Sequence, residues 1–320
     1  MARKALTPAQ LALAQAVRPA LDQLAGPVLV GVSGGADSLA LAATVAHLDV
    51  GRATAVVVDH QLQPDSAEHS RAVVDLVRGL GLEARIEAVE VARDGQGLEA
   101  AARAARLGAL CREGLPVLLG HTLDDQAETV LLALARGSGA ASLRGMMPVT
   151  PFRGARLVRP LLGLHRDEVR QACHDWGLEP WDDPMNADPS FLRVRVRHEL
   201  LPLAADVLGA GVSDALARTA HLARQDNDLL ERLGEDAVRD LARGDALDAV
   251  GLVHLHPALR GRVLRRWMVA RGVRHPSMAH VQAVMALVED WRGQRGVDLP
   301  GGVTVRRQQG SLVAGPRTAG

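Results

Sequence analysis

Short apolar, β-branched runs alternate with helical patterns over the first part of the chain. The runs at 28–32, 53–58, 84–89 and 117–119 predict buried strands. The segments between them carry apolar residues at the three- to four-residue spacing of amphipathic helices. Strands that alternate with helices in this way predict a parallel sheet with right-handed crossovers, so we expect the chain to begin with an α/β domain.

The hydrophobic pattern changes after a further strand predicted near 156–161. Residues 203–249 read as helical, and no strand pattern returns until 303–305 and 312–313. We therefore expect residues 1–205 to form the α/β domain. Residues 206–320 should form a smaller, mainly α-helical C-terminal domain.

The first strand breaks at Gly34-Gly35 and passes through Asp37 into a helix. A strand that turns sharply into a helix directs backbone N–H groups and the positive helix end at one spot, which suits a phosphate group. Ser33 and Ser38 add hydroxyl donors, and Asp37 adds a carboxylate of the kind that holds Mg²⁺. Neither the mononucleotide P-loop nor the dinucleotide fingerprint fits, because the glycine spacing differs and no lysine follows.

Composition argues against several classes of function. Lys4 is the only lysine among 37 basic residues, which argues against a lysine phosphate clamp or Schiff base. No uninterrupted apolar run reaches membrane-spanning length and the N-terminal residues lack an apolar signal segment, so we expect a cytoplasmic protein without membrane contact. Cys111 and Cys173 form no C-x-x-C pair, and therefore indicate neither a zinc site nor a disulfide framework.

A group of charged residues opens the helix predicted over 122–135. His121, Asp124, Asp125 and Glu128 follow a strand, at the edge of a parallel sheet where ligands bind. Such a group suits a cation, a metal or an amine substrate. Acidic residues also favour the first turn of any helix, so both interpretations stay open on position alone.

Arginines concentrate in two later segments. Residues 193–198 lie on a helix that is predicted to stop at Pro202. Residues 251–320 carry a net charge of +8, after −5 over 203–250. Both segments suit contact with an RNA backbone, and the alternatives are a salt-bridge helix and a solvated surface. The candidate RNA contacts are Arg193, Arg195, Arg197, Arg262, Arg265 and Arg266.

Aromatic side chains are scarce, with no tyrosine, two phenylalanines and four tryptophans. Bases of single-stranded RNA stack on aromatic rings or arginine planes. We expect arginine to take this role here, aided by Trp176, Trp181 or Trp267, although tryptophans more often anchor a core.

The string from Ser33 to Ser38 resembles the S-G-G-x-D-S loop of the N-type ATP pyrophosphatases, or PP-loop enzymes, which have a Rossmann-like sheet. Further blocks resemble, in order, the tRNA(Ile)-lysidine synthetases, a branch of that group. The resemblance is strong over 25–205 and weaker beyond, and it suggests a short form without an additional C-terminal domain. The blocks are 58–60, 120–145, 159–162, 183–188, 197–202 and 299–302.

This resemblance implies an ATP-dependent ligase. ATP would adenylate the C2 carbonyl oxygen of the wobble cytidine in tRNA(Ile) with a CAU anticodon, releasing pyrophosphate. The ε-amine of free L-lysine would then attack C2, and AMP would leave to give lysidine. The alternatives are another PP-loop enzyme such as a 2-thiolation enzyme, and a non-catalytic nucleotide- or RNA-binding module. A homodimer is compatible with the sequence.

The resemblance also implies roles for particular residues. ATP binding is predicted for Ser33, Gly34, Gly35, Ala36, Asp37, Ser38, Asp59 and His60, with Mg²⁺ on Asp37. Lysine binding is predicted for Asp124, Asp125 and Glu128, and catalytic roles for Asp37, His121, Asp125 and Arg136.

Overall fold

Helices and strands alternate along the first part of the chain in the computed structural model, which describes residues 5–91, 98–137, 139–181, 183, 185 and 188–317. The chain forms two units, Met1–Leu222 and Ala223–Gly320. The strands of the first unit are β1 (Val28–Val32), β2 (Ala53–Asp59), β3 (Glu83–Ala88), β4 (Val117–Leu118), β5 (Val149–Phe152) and β6 (Ala155–Val158). Its helices are α1 (Pro8–Asp22), α2 (Ala36–Asp49), α3 (Ser66–Gly79), α4 (Leu98–Leu110), α5 (Leu123–Ala135), α6 (Ala140–Leu143), α7 (Arg166–Asp175), α8 (Leu192–Arg195) and α9 (Leu201–Leu208).

The first six strands form one sheet in the order β3-β2-β1-β4-β6-β5. All neighbouring pairs are parallel except the pair of β5 and β6. Val30 at the centre of β1 pairs with Ala55 of β2 and Leu118 of β4, and all three are fully buried. Burial on both faces is why these strands read as continuous apolar runs. The predicted parallel α/β sheet is confirmed.

The edge of this sheet differs from the single strand predicted near 156–161. The structure forms a hairpin there, in which β5 runs antiparallel to β6. Arg153 and Gly154 connect them with φ of 48° and 83°. Two residues with positive φ match the twist of a tight hairpin turn, so the chain reverses here.

The predicted helix end at Pro202 is wrong. Helix α8 continues through a π turn, Val196–Leu200, into α9, where Pro202 occupies the first turn. The N–H of Leu201 still donates to the carbonyl of Val196 in the π pattern, and Pro202, which has no N–H, stands where this pattern changes to that of α9. Among the described residues no single helix is long and apolar enough to cross a membrane, although the bent pair Leu192–Leu208 and Val212–Leu241 meets both criteria together.

The second unit combines helices with a small antiparallel sheet. Its core includes Leu247, Leu264, Trp267 and Met268, all buried. The predicted strands near 303–305 and 312–313 are present, but three further short strands were not predicted. The strands, in the order β7-β8-β11-β10-β9, are β7 (Ala242–Arg243), β8 (Ala246–Asp248), β9 (Val297–Leu299), β10 (Val303–Gln308) and β11 (Ser311–Pro316). The helices are α11 (Ala249–His254), α12 (Pro257–Ala270) and α13 (Met278–Glu289), after α10 (Val212–Leu241), which contains the division between the units.

The predicted domain boundary at residue 205 stays a prediction.

Candidate active site

A cleft of about 1160 Å³ opens at the carboxyl ends of β1, β2 and β4. This is the edge at which open parallel sheets bind ligands. Among the predicted ATP-binding residues, Ser33, Gly35, Ala36, Asp37, Ser38, Asp59 and His60 line the cleft, and Gly34 lies in the same loop. His121, Asp125, Arg193 and Arg197 also line it.

The loop between β1 and α2 is held by its own hydroxyl groups. The backbone N–H of Ser33 donates to Ser38 Oγ at 3.1 Å, and the two serine hydroxyls lie 3.2 Å apart. The hydroxyl of Ser38 donates to the carbonyl of Gly35 at 2.9 Å. Among the described residues, no acceptor is found for the N–H groups of Gly35, Ala36 and Asp37 at the start of α2. These donors and the helix dipole form a site for an anion.

Asp37 lies where this loop meets β4. A Cβ atom on Gly120 would lie 2.8 Å from the backbone oxygen of Asp37, so only glycine permits this approach. Burial raises the pKa of Asp37 to about 6, against the opposing positive charge of Arg166. Asp37 Oδ2 lies 3.8 Å from Arg166 Nε, whereas the buried Oδ1 has no hydrogen-bond partner among the described residues.

The three predicted lysine-binding carboxylates of α5 are ion-paired or hydrogen-bonded to arginines. Glu128 is fully buried, and its oxygens lie 2.7 Å from Arg193 Nε and 2.7 Å from Arg197 Nε. Arg166 reaches both Asp125, at 3.0 Å, and Glu128, at 3.2 Å. Asp124 instead accepts the backbone N–H of Arg166 at 2.7 Å, at the start of α7.

The pKa values of the titratable groups in the cleft are shifted by two causes, burial and the charge of nearby arginines. Burial raises the pKa of Asp125, but the positive charges of Arg166 and Arg193 outweigh this and hold the pKa below its usual value. Burial lowers the pKa of His121 to about 3, so its imidazole is neutral at pH 7. Burial, together with Arg106, also lowers the pKa of His60. His121 Nδ1 and His60 Nδ1 are buried without a hydrogen-bond partner among the described residues.

Other predicted site residues lie away from the cleft lining. Arg136 is exposed at the C-terminal end of α5. Arg195 is exposed and pairs with Glu199 one turn later, at 2.9 Å. In the second unit, Arg262 and Arg266 pair with carboxylates of α10, and Arg265 is exposed. The roles predicted for these residues stay predictions.

Comparisons with known proteins agree with this geometry. Residues 7–204 match a family profile described as "PP-loop domain", and residues 247–313 match one described as "TilS substrate binding domain". A tRNA(Ile)-lysidine synthase from Rhodococcus erythropolis is 46% identical, over 97% of this chain and 96% of that protein. One from Salinispora tropica is 48% identical, over 97% of both chains.

The chain belongs to the tRNA(Ile)-lysidine synthase family. The fold is also found in a solved U34-tRNA thiolase, NcsA, from Methanococcus maripaludis. That structure has a TM-score of 0.55 and 18% identity, and the match covers 68% of this chain and 80% of the thiolase. The likeness to the thiolase shows the Rossmann-like PP-loop fold alone.

Sequence reasoning about this lysidine synthase family member missed three residues of the cleft, Arg166, Arg106 and His69, and considered Trp181 only for stacking of RNA bases. Arg166, at the start of α7, joins the phosphate loop to the carboxylates of α5. Arg106 on α4 lines the cleft, and burial lowers its pKa to about 10, with the charges of Arg103 and Arg193 acting in the same direction. Trp181 and His69 lie against the phosphate loop. Local spacing gave no signal for them, because their partners are distant in the chain.

Proposed function

We propose that this protein forms lysidine on tRNA(Ile) with a CAU anticodon, using ATP and free L-lysine. In this reaction the C2 oxygen of the wobble cytidine attacks the α-phosphorus of ATP, and pyrophosphate leaves. The Nζ of lysine then attacks C2 and loses a proton, and AMP leaves with the former C2 oxygen. The observation that supports this most directly is Arg166, which joins the phosphate loop to the carboxylate cluster within one cleft.

The phosphate loop would hold the triphosphate. The N–H groups at the start of α2, for which no acceptor is found among the described residues, and the hydroxyl of Ser33 are donors that can stabilise charge on the phosphates, while Ser38 holds the loop through the Gly35 carbonyl. Mg²⁺ would supply further charge neutralisation. Asp37 fits a cation, because its buried Oδ1 lacks any partner among the described residues. No group of three or more metal-ligating side chains is found in the described part of the chain, so the phosphates would complete this site.

The carboxylate–arginine cluster would hold the lysine. Free lysine carries one carboxylate and two ammonium groups, so its site needs groups of both signs. Asp124, Asp125 and Glu128 provide the anions, and Arg193 and Arg197 provide cations within 3.4 Å of Asp125 and Glu128. When lysine binds, its ammonium groups would replace some of the arginines that now contact the carboxylates.

The attacking amine must lose a proton before it can form the new bond. His121 is neutral at pH 7 because burial lowers its pKa to about 3. Its Nδ1 has no partner among the described residues, and Asp125 is the neighbouring carboxylate. Both groups are unprotonated at pH 7 and can accept hydrogen bonds from the amine, so we assign them to orient it; their low pKa values make them weak bases toward an ammonium group, whose pKa is about 10.4.

Transfer of labelled lysine tests the function directly. Purified protein is incubated with ATP, Mg²⁺, labelled L-lysine and a tRNA(Ile) transcript with a CAU anticodon, and we expect label in the tRNA. A transcript with a CAG anticodon is the substrate control, and the Asp37→Ala variant is the enzyme control. Two outcomes would overturn the proposal. One is tRNA that stays unlabelled although the protein is folded, and the other is ATP-dependent transfer of sulfur to the tRNA in place of lysine.

A further inference from the structure

An aromatic pair lies against the outer side of the phosphate loop. The rings of His69, on α3, and Trp181, which follows α7, have centroids 3.8 Å apart and an interplanar angle of 35°. Both side chains line the cleft. Stacked pairs of this kind contribute beyond the area that they bury. The pair therefore joins two walls of the cleft that are more than a hundred residues apart in the chain.

Trp181 also reaches the loop through its backbone. Its N–H donates to the carbonyl of Gly34 at 3.0 Å. Because a trans peptide is planar, the N–H of Gly35 must point away from the carbonyl that Trp181 holds. No acceptor for the Gly35 N–H is found in the described part of the chain. The backbone of Trp181 thus sets the direction of one of the donors that we assign to phosphate.

His69 contacts the preceding peptide, Ser33–Gly34, from the α3 side. A Cβ on Gly34 would lie 2.8 Å from His69 Nε2 and 2.8 Å from Val73 Cγ2, and the φ of Gly34 is +86°. The His69 ring also lies 3.4 Å from the carbonyl of Ser33, at Nε2. Gly34 is therefore enclosed between α3 and Trp181, in a space that a Cβ atom would fill.

The segment that carries Trp181 has a second attachment. Gln63 Nε2 donates to Asp183 Oδ1 at 3.2 Å, and the same oxygen accepts the backbone N–H of Met185 at 2.9 Å. These bonds hold the segment on the β2 side of the cleft, so the Trp181 ring stays over His69.

We propose that Trp181 is a positioning residue for the nucleotide: by stacking on His69 it holds the Gly34–Gly35 peptide with the Gly35 N–H directed at a phosphate of ATP. This inference rests on the proposed use of ATP. It assigns to Trp181 an effect on nucleotide affinity, whereas Trp176 and Trp267 pack in the two cores.

A second histidine–tryptophan pair provides a matched control. His47 and Trp176 have ring centroids 5.5 Å apart and are tilted by 47°. Trp176 packs against the core of the first unit and does not line the cleft. Substitution of Trp176 should therefore lower stability without changing nucleotide affinity.

The test is the affinity for Mg·ATP, measured by calorimetry in the absence of tRNA and lysine. We expect Trp181→Ala and His69→Ala each to raise the Kd by about two- to tenfold, the value of one aromatic stack. In the double variant, the rise in Kd should be smaller than the product of the rises in the two single variants. Trp181→Phe should recover most of the affinity, and Trp176→Phe should bind ATP like the wild type.

Two further readouts separate positioning from general destabilisation. Trp emission should change on addition of ATP in the wild type and not in Trp181→Phe, and the KM for ATP should rise in Trp181→Ala while the KM for lysine stays constant. The inference is overturned if wild-type affinity persists in both Trp181→Ala and His69→Ala, or if Trp176→Phe weakens ATP binding equally. Wild-type protein that binds no ATP would instead overturn the proposed function itself.

Discussion

Each unit of the molecule contains a cluster of arginines and glutamates, and the two clusters differ in burial. In the first unit Glu128 is fully buried and lies 2.7 Å from both Arg193 and Arg197. In the second unit Glu231 is 44% exposed and lies 3.5 Å from both Arg262 and Arg266. The arginines of the two clusters, which we predicted to contact RNA in both places, therefore stand in opposite electrostatic settings.

Burial determines what each cluster can do. Buried charges depend on their partners, because an unpaired charge in the interior is expensive. The first cluster is therefore a structural part of the cleft as well as the site that we propose for lysine. Exposed pairs contribute little to stability, so RNA phosphates can replace the carboxylate partners of Arg266, whose side chain is 42% exposed, at small cost.

The largest expected effect comes from Glu128→Gln. This change leaves three arginines facing Asp125 alone, and breaking a buried ion pair costs about 3–5 kcal/mol. We expect a loss of that order in the free energy of unfolding, measured with guanidinium, and loss of lysine transfer. The matched surface variant, Glu231→Gln, should cost less than about 1 kcal/mol. Equal losses in the two variants would contradict the distinction between the clusters.

Arg166→Ala probes the link between the phosphate loop and the buried cluster. Arg166 contacts Asp125 and Glu128 at 3.0 and 3.2 Å, and a hydrogen bond to a charged group contributes about 1.5–3 kcal/mol. We expect a stability loss of about that size, with slower lysine transfer at saturating ATP.

Arg170→Ala is its control. Arg170 lies one turn further along α7, lines the same cleft and is exposed, with no ion pair to the described residues. If its substitution destabilised the protein as much as Arg166→Ala, the bridging role of Arg166 would be refuted.

Lowering the pH should reduce the free energy of unfolding through the buried His121. His121 is held neutral because burial lowers its pKa to about 3, among the charges of Asp125, Arg159, Arg103 and Arg106. The unfolded chain binds a proton near the ordinary pKa of about 6.5, whereas the folded protein does not. The contribution of His121 to the free energy of unfolding is therefore fully present above about pH 6.5. Below that pH it declines, by up to about 1.4 kcal/mol per pH unit.

Denaturant unfolding at about pH 7.5 and about pH 5 measures this dependence. His121→Gln should reduce the difference in unfolding free energy between the two pH values. The matched variant is His174→Gln, whose side chain is 85% exposed, and it should leave that difference unchanged. A pH dependence that is identical in wild type and His121→Gln would exclude this origin.

Much of the fold and the phosphate loop could be predicted because their signals are local. Buried parallel strands are continuous apolar runs, and Ser33–Ser38 combines its donors within six residues. Strands β7 and β8 were missed because two or three residues carry no periodicity. Arg166 was missed because its significance depends on Asp37 and Glu128, which only the fold brings near it. Among the three tryptophans considered for stacking, only the structure separates Trp181 in the cleft from the two in the cores.

The smallest expected effect concerns the exposed cluster, through Arg265→Ala. Arg265 is exposed on α12 and forms no ion pair with the described residues of its unit, so its removal should leave stability almost unchanged. If α12 contacts the tRNA backbone, losing one phosphate contact should weaken binding and lower the slope of log K against log salt by about one. Binding of a tRNA(Ile) transcript at several KCl concentrations measures both quantities. Arg262→Ala should instead also lower stability, because Arg262 donates to the buried Asn227 at 2.9 Å. An unchanged salt slope in Arg265→Ala would exclude a contact between Arg265 and the tRNA backbone.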